Sequence, residues 1–185
     1  MPTDILPSII IIAVLLVFSA FFSASETAFS TCNRIKLKTL AEKGHKGAKR
    51  ALKIADAIDK TLTTILIGKN IVHIASTSTT TTLFVMLFGD AGAGIATAVM
   101  TVLVLIFGEI IPKSLAKETA DNGVMWMSVP LKFIMFILTP FSALFTLLKN
   151  GIIKLFNVRS SNTGVTADEL LYIVNEGEEQ GSLDE

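Results

Sequence analysis

The stretch IATAVMTVLVLIFGEIIPK, Ile95 to Lys113, is free of charge until Glu109, which stands one residue after a glycine and three before a proline. An acid in such a run is costly unless something compensates it, so the first question is what solvent surrounds it. The chain has 185 residues, 51% hydrophobic and 17% charged, with a mean hydropathy of +0.62. That is too apolar for an ordinary soluble domain of this size, and points to a bilayer.

Four stretches lack Asp, Glu, Lys and Arg: Ile5 to Ser25, Asn70 to Gly89, Ala91 to Gly108 and Phe133 to Leu148. The first three approach the ~20 residues that a helix needs to cross ~30 Å of hydrocarbon. The fourth is shorter and contains Pro140. These patterns predict an all-α membrane protein with three transmembrane helices, over about 5–31, 61–88 and 95–115. MPTD at the amino terminus has no basic n-region, so the first run is read as a retained helix and not a cleaved signal. Cys32 is the single cysteine, which excludes an intramolecular disulfide.

Charge sets the expected orientation. Between Cys32 and Lys60 lie nine basic residues against the three acids Glu42, Asp56 and Asp59. The positive-inside rule assigns this helical loop, 32–60, to the cytoplasm and the amino terminus to the outside. GDAGAG, Gly89 to Gly94, has no Lys or Arg and reads as the outer turn. A fourth full crossing by the 132–149 region would export Lys149, Lys154 and Arg159, and Pro130 and Pro140 each remove a helical N–H. The region from about 124 to 156 is therefore expected to be a kinked juxtamembrane helix on the inner face, with a carboxyl terminus in the cytoplasm.

RSSNTG, Arg159 to Gly164, reads as a linker that closes a membrane domain at about residue 160. The segment from Val165 carries seven acids and no base, and Thr166 with Glu169 has capping-box spacing. Residues 161–185 are expected to begin a cytoplasmic acidic helical region that continues into a further module.

Three polar clusters interrupt the apolar runs. A transmembrane acid costs ~2.5–3.5 kcal/mol on insertion scales, which makes Glu109 a functional candidate. Pro112 lacks the N–H that would bond the Gly108 carbonyl, so GEIIP offers a carboxylate beside a free carbonyl, a pair suited to a hard cation such as Mg²⁺, Ca²⁺ or Na⁺. The competing reading pairs Glu109 with Lys113 at i+4. In the first helix, Ser19, Ser23 and Glu26 at i, i+4 and i+7 form one stripe beside the small Ala20, Ala24 and Ala28. Back-bonding to helix carbonyls is the commoner fate of such serines, and Glu26 has Arg34 as an alternative partner.

The third cluster is IGKNIVH, Ile67 to His73. Gly68 permits a local break, Asn70 offers an amide oxygen, and Lys69 either snorkels to the interface or neutralises Glu26 or Glu109. His73 is read as a hydrogen-bonded packing residue. The STSTTTT run, Ser76 to Thr82, is read as packing with locally satisfied hydroxyls. All three clusters fall at one depth, at the ends of the helices nearest the basic loop.

SASETA at Ser23 to Ala28, GKN at Gly68 to Asn70 and GEIIPK at Gly108 to Lys113, in that order, resemble the transmembrane domain of the CNNM/CorC magnesium transporters. The resemblance covers roughly residues 5–160, and the acidic tail resembles the segment leading into that family's CBS-pair domain. It implies three transmembrane helices, a belt-like juxtamembrane helix, a homodimer in the plasma or inner membrane, and Mg²⁺ export driven by Na⁺ entry. It also implies a cation pocket open to the cytoplasm. Its expected ligands here are Ser19, Ser23, the Gly68 region with Asn70, and Gly108 with Glu109; Glu26, Lys69 and Pro112 are expected to support or gate the pocket.

The family often has asparagine where this chain has Lys69 and His73, which leaves the part of those two positions open. The CBS pair lies outside these residues, so nucleotide binding is not assigned. A membrane-anchored Mg²⁺ sensor that does not itself transport is the alternative function. An enzyme is the weakest reading: two histidines and one cysteine supply no triad, zinc spacing or phosphate loop. Topology and anionic lipid explain the basic loop without nucleic acid.

Overall fold

The computed structural model describes residues 5–155, with side-chain surroundings for 5–139. The linker and acidic segment expected after residue 156 lie outside the described residues. No strand occurs among the described residues, and the chain is built from helices joined by short turns.

Helix α1 spans Ile5–Thr31, 27 residues, or about 40 Å at 1.5 Å per residue. Its first half has no buried residue, whereas Ser19, Phe22, Ser23, Ser25, Ala28 and Phe29 in its second half are buried. Asn33 then caps α2 (Arg34–Glu42), accepting the Lys36 N–H at 3.0 Å. Gly44, at φ +90°, takes the left-handed conformation that turns the chain into α3 (Lys46–Asp56). α3 buries Ala48, Ala51, Ile54 and Ala55, whose small side chains allow close packing. All nine basic residues of 32–60 are exposed, so the α2–α3 hairpin presents a positive face.

Helix α4 spans Ile58–Phe88 and is tied to the end of α3 by the buried Thr61 hydroxyl, which donates to the Ile54 carbonyl at 2.9 Å. It runs unbroken through Gly68, contrary to the local break expected there. The glycine instead makes room for a neighbour: a Cβ at 68 would collide with the Phe22 ring of α1. Thr79, Thr80 and Thr82 bond back to the carbonyls of Ala75, Ser76 and Ser78, so these hydroxyls of the STSTTTT run are satisfied within the helix.

Gly89, at φ +61°, and a 3₁₀ turn over Gly89–Ala91 reverse the chain. Gly92 sits against the Phe84 carbonyl, where any Cβ would clash. α5 (Gly92–Leu103) returns along α4, passes into a π-helical segment over Val104–Ile110, and continues as α6 (Ile111–Glu118). The π segment follows from Pro112. With no N–H to offer at that position, the ladder loosens, and the Ile111 N–H bonds the Ile106 carbonyl five residues back. α1, α4 and the α5–α6 limb pack as a bundle.

Three helical stretches are long and apolar enough to cross a membrane: Ile5–Thr31, Ile58–Glu118 and Ala120–Thr139. The second, 61 residues long, is folded back at Gly89 and supplies two limbs of the bundle. In their most apolar windows only 11%, 17% and 22% of residues are buried, so their outer surfaces require hydrocarbon. The protein is a multi-pass membrane protein.

The third stretch opens α7, Ala120–Leu155, whose helix continues past both Pro130 and Pro140. Asp121 accepts from the Asn33 N–H and the Lys36 ammonium, both at 2.9 Å. Gly47 of α3 lies against Met125, and the Thr61 hydroxyl is 4.0 Å from the Met135 sulfur. These contacts, from Asp121 to Met135, all fall at the basic end of the bundle, so this first part of α7 packs on that end. Trp126, Phe133 and Phe136 face outward at 74%, 66% and 79% exposure, a stripe suited to the edge of a bilayer.

The turn gives a direct test of this packing. Gly92→Val is expected to destabilise the folded protein by about 1–3 kcal/mol through overpacking against Phe84. Gly94→Ala, where nothing lies within 4 Å, should leave the melting temperature in detergent unchanged. Equal melting of both variants with the parent protein would refute the tight α4–α5 return.

Candidate cation site

Two layers of polar side chains meet where α1, α4 and the π segment converge. In the inner layer, Ser19 Oγ and His73 Nε2 are hydrogen-bonded at 2.7 Å across α1 and α4. Ser19 is 1% exposed and packs on the π segment, since a Cβ on Gly108 would lie 2.8 Å from its Oγ. Gly108 is thus the close-approach point between α1 and the limb that carries Glu109. His73 is hydrogen-bonded, and its partner is a candidate ligand.

The outer layer is ionic. Lys69, one helical turn from His73, forms an ion pair with Glu109 and stands 3.9 Å from Glu26. Lys113 lies 3.3 Å from Glu26. Two carboxylates and two ammonium groups therefore cancel among themselves. The Lys69 side chain is the most buried of the four at 13% exposure, and Glu26 is the least at 41%. Lys113 thus pairs with Glu26 and not with Glu109, and Glu26 meets these two lysines and not Arg34. In an apolar bundle an unpaired carboxylate is far costlier than a paired one, which explains why the four residues gather.

Ser23 lies on α1 between these layers, and its hydroxyl is fully buried without a hydrogen-bond partner. A buried hydroxyl left unsatisfied costs about 1–3 kcal/mol, so this oxygen calls for a partner. The Ser25 and Ser76 hydroxyls are likewise buried and unpartnered. Among the described residues no group of three or more His, Cys, Asp and Glu is placed to hold a metal.

Of the expected ligand set, Ser19 lies against Gly108, Ser23 is buried one turn further along α1, and Glu109 follows Gly108 and pairs with Lys69. Gly68 is buried nearby, under the Phe22 ring. Asn70 is exposed on α4. At about 100° per residue, positions 68 and 70 are roughly 200° apart, so one helix cannot turn both inward. Pro112 is buried and shapes the turn without contributing a polar group. An open cavity of about 340 Å³ at the basic end is lined by Asn33, Lys36, Lys117, Glu118 and Asp121 among others.

Two features were beyond reach of the sequence reading. The seven-residue π segment was one, although Gly108 and Pro112 mark its place. The other was the Ser19–His73 bond, for which no single-helix pattern gives a signal.

A profile of the CNNM family, described as the Cyclin M transmembrane N-terminal domain, matches residues 10–185. A chloroplastic DUF21 domain-containing protein of Arabidopsis thaliana is 39% identical over 178 residues, covering 95% of this chain and 27% of that protein. The UPF0053 inner membrane protein YfjD of Escherichia coli is 32% identical over 165 residues, covering 88% of this chain and 39% of that protein. The polyamine export protein of Salmonella typhimurium is 28% identical over 201 residues, covering 96% of this chain and 43% of that protein. The chain spans less than half the length of these relatives. The ordered motifs, the bundle they build and a match over nearly the whole sequence agree, and the chain belongs to the CNNM/CorC family.

Proposed function

We propose that the chain is the cation-handling membrane part of a transporter whose cargo is Mg²⁺, exported from the cytoplasm as Na⁺ enters. The observation that carries this reading is the Glu109 carboxylate, carried on a widened helical turn and paired with Lys69, next in sequence to Gly108, which lies against the buried Ser19 hydroxyl. Acids at such positions are retained for function. Glu109 supplies the charge, and Ser19, Ser23 and the Gly108 carbonyl supply neutral oxygens. A compact set of this kind favours Mg²⁺, which takes ligands at ~2.1 Å, over the larger Ca²⁺.

The exposed bases of α2–α3 support an orientation with that end of the bundle in the cytoplasm and the Gly89 turn outside. The resemblance also implies a homodimer, and Asn70 lies on the exposed, outward face of α4. A second cargo deserves the same assay. Glu109 already holds one alkylammonium, that of Lys69, and one relative is named a polyamine export protein, so an organic polycation fits the same carboxylates.

Proteoliposomes loaded with Mg²⁺ and carrying the full-length protein test the reading. Glu109→Gln and Ser23→Ala should each slow efflux at least tenfold while the protein remains folded; parental rates in both contradict the site. Collapsing the Na⁺ gradient should stop efflux, and unchanged flux removes the coupling. Cation binding without flux would make the protein a sensor, and spermidine flux without Mg²⁺ flux would exchange the cargo.

Orientation is tested by thiol labelling in cells. Asp90→Cys should react with a membrane-impermeant maleimide from outside, because Asp90 is exposed in the Gly89 turn. Cys32 should stay unlabelled: it lies at the basic end, half-buried, and burial pushes its thiol up although Arg34 opposes the shift. Labelling of Cys32 but not of position 90 would invert the topology.

A further inference from the structure

We propose that Lys69 is a tethered counter-cation that competes with the cargo for Glu109, and that Glu26 is the carboxylate that receives its ammonium when the cargo binds. The inference rests on the reading of Glu109 as the cargo-binding acid. It concerns a different property, the occupancy of that acid by the protein's own side chain.

Lys69 and Glu109 are in direct ion-pair contact, so the negative charge that would attract a cation is already answered. A second cation arriving at the same oxygens meets the repulsion of an ammonium only a few ångströms away, in surroundings where charge interactions are weakly screened. The cargo therefore binds well only if the ammonium leaves. A route is present. Glu26, the more exposed of the two acids, lies 3.9 Å from the Lys69 ammonium, within reach of a change in the outer torsions of the lysine stem. Glu26 is now held by Lys113 at 3.3 Å, and Lys113, at 39% exposure, can turn to water as Lys69 arrives.

A site with an internal competitor binds more weakly than the same ligands alone, and it never leaves a bare carboxylate in the bundle. It also favours cargo able to outbid an ammonium, a divalent ion or a polycation over a single monovalent ion. Lys69 is on this account a positioning and selectivity residue and does not touch the cargo.

Calorimetric titration of Mg²⁺ into the purified full-length protein, at fixed ionic strength, reads this directly. Lys69→Gln should bind Mg²⁺ at least tenfold more tightly than the parent, and Lys69→Arg, which keeps the charge, should not. Lys69→Met, which keeps the packing of the stem, should reproduce the gain if the glutamine variant folds poorly. Glu26→Gln should weaken binding in the parent but have no effect in the Lys69→Gln background. Unchanged or weaker binding in folded Lys69→Gln and Lys69→Met overturns the competitor, while leaving Glu109 as a cation site. An equal effect of Glu26→Gln in both backgrounds overturns the receiver and makes Glu26 a direct cation contact. Absence of Mg²⁺ binding in the parent and in every lysine variant defeats the underlying Mg²⁺ reading, and the competitor falls with it.

Discussion

A carboxylate in a bundle that faces hydrocarbon has to be compensated, and here the Glu109–Lys69 ion pair does so. The surrounding geometry serves that contact. Glu109 rides on a π segment set up by Pro112, and Lys69 rides on α4, whose Gly68 lets the Phe22 ring of α1 pack close. Gly108 brings the π segment against Ser19 on the other side. Two glycines and a proline thus determine where three helices approach. The charged residues occupy the place left between them.

Much of this was legible in the sequence, for reasons specific to membranes. Water-free surroundings force backbone groups into helices, so charge-free runs of about twenty residues translate almost directly into spans. Periodicity within one helix was also reliable. Ser19, Ser23 and Glu26 share a face of α1, and that face meets Gly108 at one end and the two lysines at the other. What periodicity cannot supply is the angle at which one helix presents itself to another. Gly68 and Asn70 belong to one sequence cluster, yet two residues along a helix turn them to nearly opposite sides. Gly68 permits a local break by composition but serves as a packing notch; composition alone does not reveal that the Phe22 ring lies over it.

The lysine illustrates how a departure from a family's habit becomes informative once geometry is available. In the sequence, Lys69 had three possible fates, snorkelling or pairing with either acid. In the structure it touches one acid and stands near the other, while Lys113 occupies the second from outside. The four charges form a neutral relay from the bundle interior toward its basic end. Such an arrangement is consistent with a site whose acid must be available to a passing cation without ever standing bare.

The most direct test of the account is an experimental structure of the full-length protein with Mn²⁺ as an anomalously scattering substitute for Mg²⁺. The account predicts anomalous density on a Glu109 carboxylate oxygen, with the Ser19 or Ser23 hydroxyl turned toward it and the Lys69 ammonium shifted to Glu26. Density at another place in the membrane domain, with Lys69 still on Glu109, would contradict it.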